Sequence, residues 1–73
     1  EYLSFMFNIM AQKYSEMKSL TQKVEDFLVS LPGTQIGSYC IEDIDINNVH
    51  EQYEHELKIN RGIIDFTIYF EEV

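Results

Sequence analysis

Apolar residues recur at alternating four- and three-residue intervals over the first 31 positions, and this pattern limits the possible folds more strongly than any other. Eight of the nine positions in the series are apolar: Leu3, Phe7, Met10, Tyr14, Met17, Thr21, Val24, Leu28 and Leu31. A seven-residue repeat of this kind places its members on one face of a helix. The sequence therefore predicts one helix over residues 1–31, ended by Pro32-Gly33.

After this break the alternation of apolar and polar residues is typical of strands. Tyr39 and Ile41 have one parity, whereas Ile44 and Ile46 have the other. One extra residue at Glu42-Asp43, forming a bulge or a kink, would bring both pairs to the same face. The pattern predicts a first strand with a bulge at this point.

Asn47-Asn48 is predicted to form the turn that follows this first strand, residues 36–46. From Val49 the alternation is regular, with a change of parity between Ile59 and Ile64. Because apolar partners share a face, the change predicts a hairpin that reverses at Arg61-Gly62. The expected cross-strand pairs are Ile59 with Ile64, Leu57 with Phe66, Tyr53 with Phe70, and Lys58 with Asp65. A helix over residues 51–57 is the competing interpretation.

These elements predict a single small α+β domain over residues 1–73. One long N-terminal helix would pack on a three-stranded antiparallel sheet, in the order αβββ. A chain of 73 residues has no room for a second domain.

The N-terminal part of the predicted helix has more apolar surface than one sheet face can cover. Exposing four such side chains would cost about 6–12 kcal/mol. One interpretation is a kink near Ser15 or Ser19 that returns the first turns to the core. The favoured one is oligomerisation of the chain through its helix, with these residues at the contact: Leu3, Phe7, Met10, Tyr14 and Met17.

Charge is divided unequally along the chain. The formal net charge is −8, of which residues 1–31 carry −1 and residues 36–73 carry −7. So acidic a chain lacks the clustered Lys and Arg that bind nucleic acid directly. In the predicted hairpin an acidic face lies opposite the core and could bind a basic protein surface: Glu54, Glu56, Asp65, Tyr69 and Glu71. The alternative is that these charges only keep the protein soluble.

No pattern for catalysis, cofactor binding or metal binding is present. His50 and His55 are five residues apart, whereas a zinc-binding pair on a helix needs a separation of four. The Asp43–Asn48 segment has oxygen ligands at alternating positions, but hydrophobic residues lie between them and no glycine stands at the sixth place of a calcium loop. Cys40 has no basic neighbour that would activate its thiol. We therefore expect a protein that is not an enzyme and has no catalytic, cofactor or metal residues.

The sequence favours a protein–protein interaction module, an oligomerising assembly or adaptor subunit. Residues 53–70 resemble the last hairpin of phage tail-terminator proteins, without a diagnostic motif, which implies a phage-type structural component. The alternative function is an acidic inhibitor that mimics nucleic acid in the basic groove of another enzyme. Because no stretch approaches the roughly 20 apolar residues of a membrane span, no membrane partner is expected. The expected location is the cytoplasm, or a virion.

Overall fold

Strand β4 forms the centre of the fold, because both of its edges pair with other strands. The computed structural model describes residues 1–73 as β1 (Tyr2–Ala11), α1 (Tyr14–Val29), β2 (Gln35–Ile36), β3 (Tyr39–Glu54) and β4 (Ile59–Glu72). The strands form one antiparallel sheet in the order β1-β4-β3-β2, and α1 packs on one face of it. The predicted long helix on a three-stranded sheet is therefore wrong.

The first error concerns the N-terminal segment, which is strand β1 and not part of a helix. β1 pairs with β4 over its whole length, from Tyr2 opposite Tyr69 to Ala11 opposite Asn60. This segment is apolar at almost every position, so it satisfies both a helical repeat and the alternation of a strand. Aromatic and β-branched side chains favour strands, and pairing with β4 satisfies the backbone groups along that edge.

The second half of the predicted helix is confirmed as α1. Its buried residues Met17, Thr21 and Leu28 follow the predicted spacing, with Val24 half-buried between them. The helix ends at Val29, before the predicted end at residue 31 and ahead of Pro32. No kink occurs at Ser15 or Ser19, because the change from strand to helix takes place before Tyr14.

Strand β3 is continuous where a turn was predicted. The register of β3 on β4 shifts between Ile41 and Asp43, so the predicted bulge is confirmed. A second shift lies between Ile46 and Asn48, at the position assigned to a turn. There the Asn47 side-chain amide donates a hydrogen bond to Thr67 Oγ1 at 2.9 Å. This bond lets the strand continue through a second bulge, so the predicted turn is wrong.

The β3–β4 hairpin reverses earlier than predicted. Its turn spans residues 55–58, with Lys58 at a φ of 52°, and Glu54 lies opposite Ile59. Arg61-Gly62 lies inside β4, so the predicted reversal there is wrong. The predicted partners are wrong too: Ile64 opposes Val49, Phe66 opposes Ile46, Phe70 opposes Ile41, and Asp65 opposes Asn48 in place of Lys58. The competing helix over residues 51–57 is absent.

Gly62 is needed for helix packing and not for a turn. It is buried beneath α1, where an added Cβ would clash with Thr21 Oγ1 and approach Met17 Sδ to 2.9 Å. Thr21 Oγ1 is itself fixed, because it donates a hydrogen bond to the Met17 carbonyl at 2.7 Å. The absence of a side chain at Gly62 therefore sets the close contact between α1 and the sheet.

Gly62→Ala is expected to destabilise the fold by about 1–3 kcal/mol through overpacking against α1. Urea denaturation followed by circular dichroism measures this loss. Thr21→Ala removes the nearest obstructing atom, so the double variant should lose less than the sum of the two single variants. Additive losses would contradict the contact between these two residues.

A candidate binding groove on the bare half of the sheet

Helix α1 is too short to cover the sheet. Its 16 residues span about 24 Å, whereas the molecule is 46 Å long. We call the face that carries α1 the helix-side face and the other the open face. α1 lies over Gly62 at one end, and its last turn brings Leu28 into the core with Ile44 and Phe66. Beyond Phe66, Ile41 is still buried, but Leu3, Phe5, Ile36 and Tyr39 are exposed, so this half of the helix-side face is only partly covered.

An apolar groove occupies this bare half. The groove has a volume of about 460 Å³ and crosses all four strands. Seven of its eight lining residues are hydrophobic. We call it the bare-face groove, and its lining is Glu1, Leu3, Phe5, Ile36, Tyr39, Ile41, Ile68 and Phe70.

Aromatic side chains contribute to the floor of the bare-face groove. Tyr39 packs edge-on against Phe70 with ring centroids 5.5 Å apart, and Phe5 stacks on Phe66 at 5.7 Å. The two rims are apolar and open to solvent, since Leu3 is 53% exposed and Ile36 is 58% exposed. An apolar floor with exposed apolar rims is typical of a protein-binding surface.

The charges around the groove are acidic. Glu1 lines one end. Glu72 lies opposite Tyr39 in the sheet and so shares its face. No basic side chain lines the groove. The surface therefore offers an apolar centre with a negative border.

The open face carries both carboxylates and neutral side chains. Asp43, Asp45 and Asp65 occur on β3 and β4 at the positions that alternate with the buried ones. Ser4 Oγ and Thr67 Oγ1 lie 3.0 Å apart at its centre. On β1 this face is neutral, because Tyr2, Ser4, Met6, Asn8 and Met10 carry no charge. The negative surface is thus confined to the β3–β4 side.

Nearby carboxylates raise the pKa of two tyrosines, Tyr69 and Tyr14. A hydrogen bond with Asp45 raises the pKa of Tyr69, and the charges of Asp45 and Asp43 raise it further. The Tyr14 hydroxyl donates a hydrogen bond to Glu51 Oε1 at 3.1 Å, and this bond raises the pKa of Tyr14. The Tyr14 hydroxyl therefore links α1 to β3 as a hydrogen-bond donor.

The structure does not bring the predicted oligomerisation residues onto one helix face. Leu3 and Phe7 lie on β1 on the helix-side face, and Met10 lies on the open face of the same strand. Tyr14 begins α1 and is half-exposed, whereas Met17 is 1% exposed in the core. A helical oligomerisation surface made of these five residues is therefore wrong, because a strand replaces the first part of the helix.

The predicted acidic face is divided along the sheet. Asp65, Tyr69 and Glu71 have the parity opposite to that of the core residues Ile64 and Phe66, so they share the open face. Glu54 lies at the far end of the hairpin, where Arg61 forms an ion pair with it at 2.6 Å. Glu56 lies in the turn after β3. These five residues therefore form a strip interrupted by an internal ion pair, not one continuous patch.

The structure contains no group of three or more His, Cys, Asp or Glu side chains placed to hold a metal ion. His50 is half-buried, and its Nδ1 lies 3.2 Å from the side-chain amide of Asn48. Cys40 is a free, half-buried thiol. No helix has the length and apolar character needed to cross a lipid bilayer.

Comparison of the chain with protein-family models, with curated proteins and with solved structures finds no match. The function must therefore be inferred from the geometry of the molecule. Sequence reasoning missed the bare-face groove, which includes Ile36, Tyr39 and Phe70, because the position of the end of α1 on the sheet creates it. The apolar excess at the N-terminus was the available signal, since it indicated surface beyond the needs of the core.

Proposed function

We propose that the chain is a non-enzymatic adaptor or assembly subunit that binds an amphipathic helix of another protein in the bare-face groove. One observation carries the proposal: α1 leaves half of an apolar sheet face uncovered. Sheets normally bury an apolar face against another element. A second helix placed beyond the end of α1 would complete the layer.

The dimensions of the groove suit a helix. Four strands at about 4.8 Å spacing make a face about 14 Å wide, and a helix with its side chains has a diameter of about 10–12 Å. Apolar residues at helical spacing would contact the aromatic floor formed by Tyr39 and Phe70. The acidic border at Glu1 and Glu72 favours a helix with lysine or arginine on its flanks.

The proposal can be tested with a defined probe. A labelled peptide of about 18 residues, or five helical turns, would carry leucines on one face and lysines on the other. Fluorescence anisotropy would measure its binding to the purified chain. We expect Ile36→Asp to weaken binding by about tenfold or more, equivalent to about 1.4 kcal/mol, because a charge would enter the apolar rim.

Val29→Asp is the matched control. Val29 is 60% exposed against 58% for Ile36, and it lies at the end of α1 outside the groove lining. Both variants add one negative charge, which by itself would increase attraction to the basic peptide. Equal effects of the two substitutions would show that binding is only electrostatic and would overturn the proposal.

The competing function is that of an acidic inhibitor, and a variant of the open face separates it from the adaptor. Asp43→Asn with Asp65→Asn removes two carboxylates from the open face without changing the groove. A mimic of nucleic acid would lose its binding to a basic protein in this variant, with a strong dependence on salt. A groove-binding adaptor should retain peptide binding within about twofold, a difference of about 0.4 kcal/mol.

A further inference from the structure

Strand β1 presents an unprotected edge. One of its edges pairs with β4, and the other has no partner. Residues 2–12 contain no charged side chain, no proline and no glycine. Exposed edge strands usually carry charges, prolines or bulges that prevent pairing with another chain. β1 has none of these features and its register on β4 is regular.

The other edge of the sheet is different. β2 is only two residues long, and the remainder of that edge is β3. There His50, Glu51 and Glu54 provide polar or charged side chains, and bulges interrupt the strand at two positions. Only the outer edge of β1 is therefore suited to pairing with another strand.

The hydrogen bonds of β1 show which backbone groups face outward. The Phe70 N–H donates to the Glu1 carbonyl at 3.0 Å. In an antiparallel pair the bonded positions alternate, so the odd-numbered residues of β1 bond to β4. The N–H and C=O groups of the even-numbered residues then face the free edge: Tyr2, Ser4, Met6, Asn8 and Met10.

We propose that two copies of this chain pair through β1 in antiparallel fashion, about a two-fold axis at Met6. In this register Tyr2 opposes Met10 of the second copy, Ser4 opposes Asn8, and Met6 opposes Met6. All five outward-facing residues then form hydrogen-bonded pairs. A shift of two residues in either direction leaves one of them unpaired, so this register satisfies the most backbone groups. The product is one continuous eight-stranded sheet.

The same register covers exposed apolar side chains. On the helix-side face Phe5 would oppose Phe7 of the second copy, and Leu3 would oppose Ile9. Phe5 and Phe7 are each nearly half-exposed, and Met6 is 62% exposed. A fully buried aromatic side chain covers about 150–250 Å², so covering the exposed parts of Phe5 and Phe7 in both copies would bury roughly 300–450 Å² from these rings alone. Met6 and the paired strand backbones would add to this area.

The charge distribution favours β1 over the acidic surfaces as the place where two copies of the chain meet. Each chain carries a net charge of −8, which makes most mutual orientations repulsive. The neutral segment 2–12 is where two copies can meet without opposing carboxylates. Self-pairing would border the bare-face groove, because Leu3 and Phe5 of β1 line one side of it, whereas Ile36 and Tyr39 on the other side do not belong to β1.

The register can be tested with two matched double variants. Ser4→Lys with Asn8→Lys places lysine opposite lysine across the interface, whereas Ser4→Lys with Asn8→Glu places lysine opposite glutamate. Both lose the same contact of Ser4 with Thr67. The first variant has a net charge of −6 and the second retains −8, so net repulsion alone would favour association of the first.

Sedimentation equilibrium is the measurement. We expect the unsubstituted chain and the Lys/Glu variant to reach about 17.4 kDa, twice the 8.7 kDa of one chain, and the Lys/Lys variant to remain at 8.7 kDa. Equal masses for the two variants would overturn the register. An unsubstituted chain that stays monomeric at high micromolar concentration, or forms open-ended aggregates, would overturn the proposal.

Met6→Pro provides a second variant that does not depend on charge. The Met6 N–H faces the free edge, so proline removes no bond to β4 and is tolerated at such positions. We expect this variant to retain its circular dichroism spectrum and to sediment as a monomer. A folded Met6→Pro variant that still dimerises would overturn pairing through β1.

Discussion

Phe5→Pro is expected to destabilise the protein by roughly 2–5 kcal/mol. The Phe5 N–H bonds to β4 opposite Phe66, and proline has no N–H to donate. The loss of a partnered backbone group costs about 1–3 kcal/mol, and the loss of the half-buried ring adds about 1–2 kcal/mol. A domain of this size has a total stability of about 4–11 kcal/mol, so the substitution should remove a large share of it.

The matched control is Met6→Pro, one residue further along the same strand. Its N–H faces outward, so its cost should stay below about 1 kcal/mol. Phe5→Ala separates the effect of the ring from that of the N–H group. Urea denaturation at low protein concentration measures all three variants. Equal stabilities of the two proline variants would contradict the pairing of β1 with β4 and support the helix that the sequence predicted.

Ile64→Ala is expected to cost about 2–5 kcal/mol, because it leaves a cavity at the centre of the core. Ile64 is 0% exposed and packs in one cluster with Met17, Leu28 and Phe66. The surrounding residues belong to both the helix and the sheet, so they cannot close on the cavity without moving one element against the other. The midpoint of urea denaturation should fall, with little change in its slope.

Val49 provides the control for this prediction. It lies directly opposite Ile64 in the sheet, yet it is 38% exposed. Val49→Ala should cost less than about 1 kcal/mol, since water already contacts the side chain. If both substitutions cost the same, the core is not centred on Ile64.

The sequence predicted those parts of the fold in which one periodicity excludes the other. The spacing of Met17, Thr21 and Leu28 places charged residues on the opposite side, and this pattern fits only a helix. The parity change around Glu42 identified a bulge, because a strand must keep its apolar residues on one face. Both features are local, and both are confirmed.

The errors arose where a contact distant in sequence determined the structure. Residues 2–11 fit a helix as well as a strand, and only the presence of β4 decides between them. Glycine is typical of turns, but at Gly62 the missing side chain instead allows Thr21 and Met17 to pack closely on β4. The predicted cross-strand pairs of the hairpin were wrong because they were derived from a turn at Arg61-Gly62. Local pattern could not identify either contact.

The candidate site was predictable only in part. Alternation along β4 indicated that Asp65, Tyr69 and Glu71 would face away from the core, and they lie on the open face. The ion pair of Arg61 with Glu54 was missed, because the assumed turn placed Arg61 at the tip of the hairpin. The bare-face groove depends on where α1 ends over the sheet, which no sequence pattern specifies.

The strand order has a consequence for synthesis of the chain on the ribosome. β1 pairs only with β4, and the 47 residues numbered 12–58 separate the two strands. At about 5–20 residues per second, roughly 2–10 s pass between the synthesis of β1 and that of β4. In this time β1 is an uncharged, apolar nascent segment without its partner strand. During that interval it is a natural substrate for a chaperone, and on a polysome it lies near identical segments of neighbouring nascent chains.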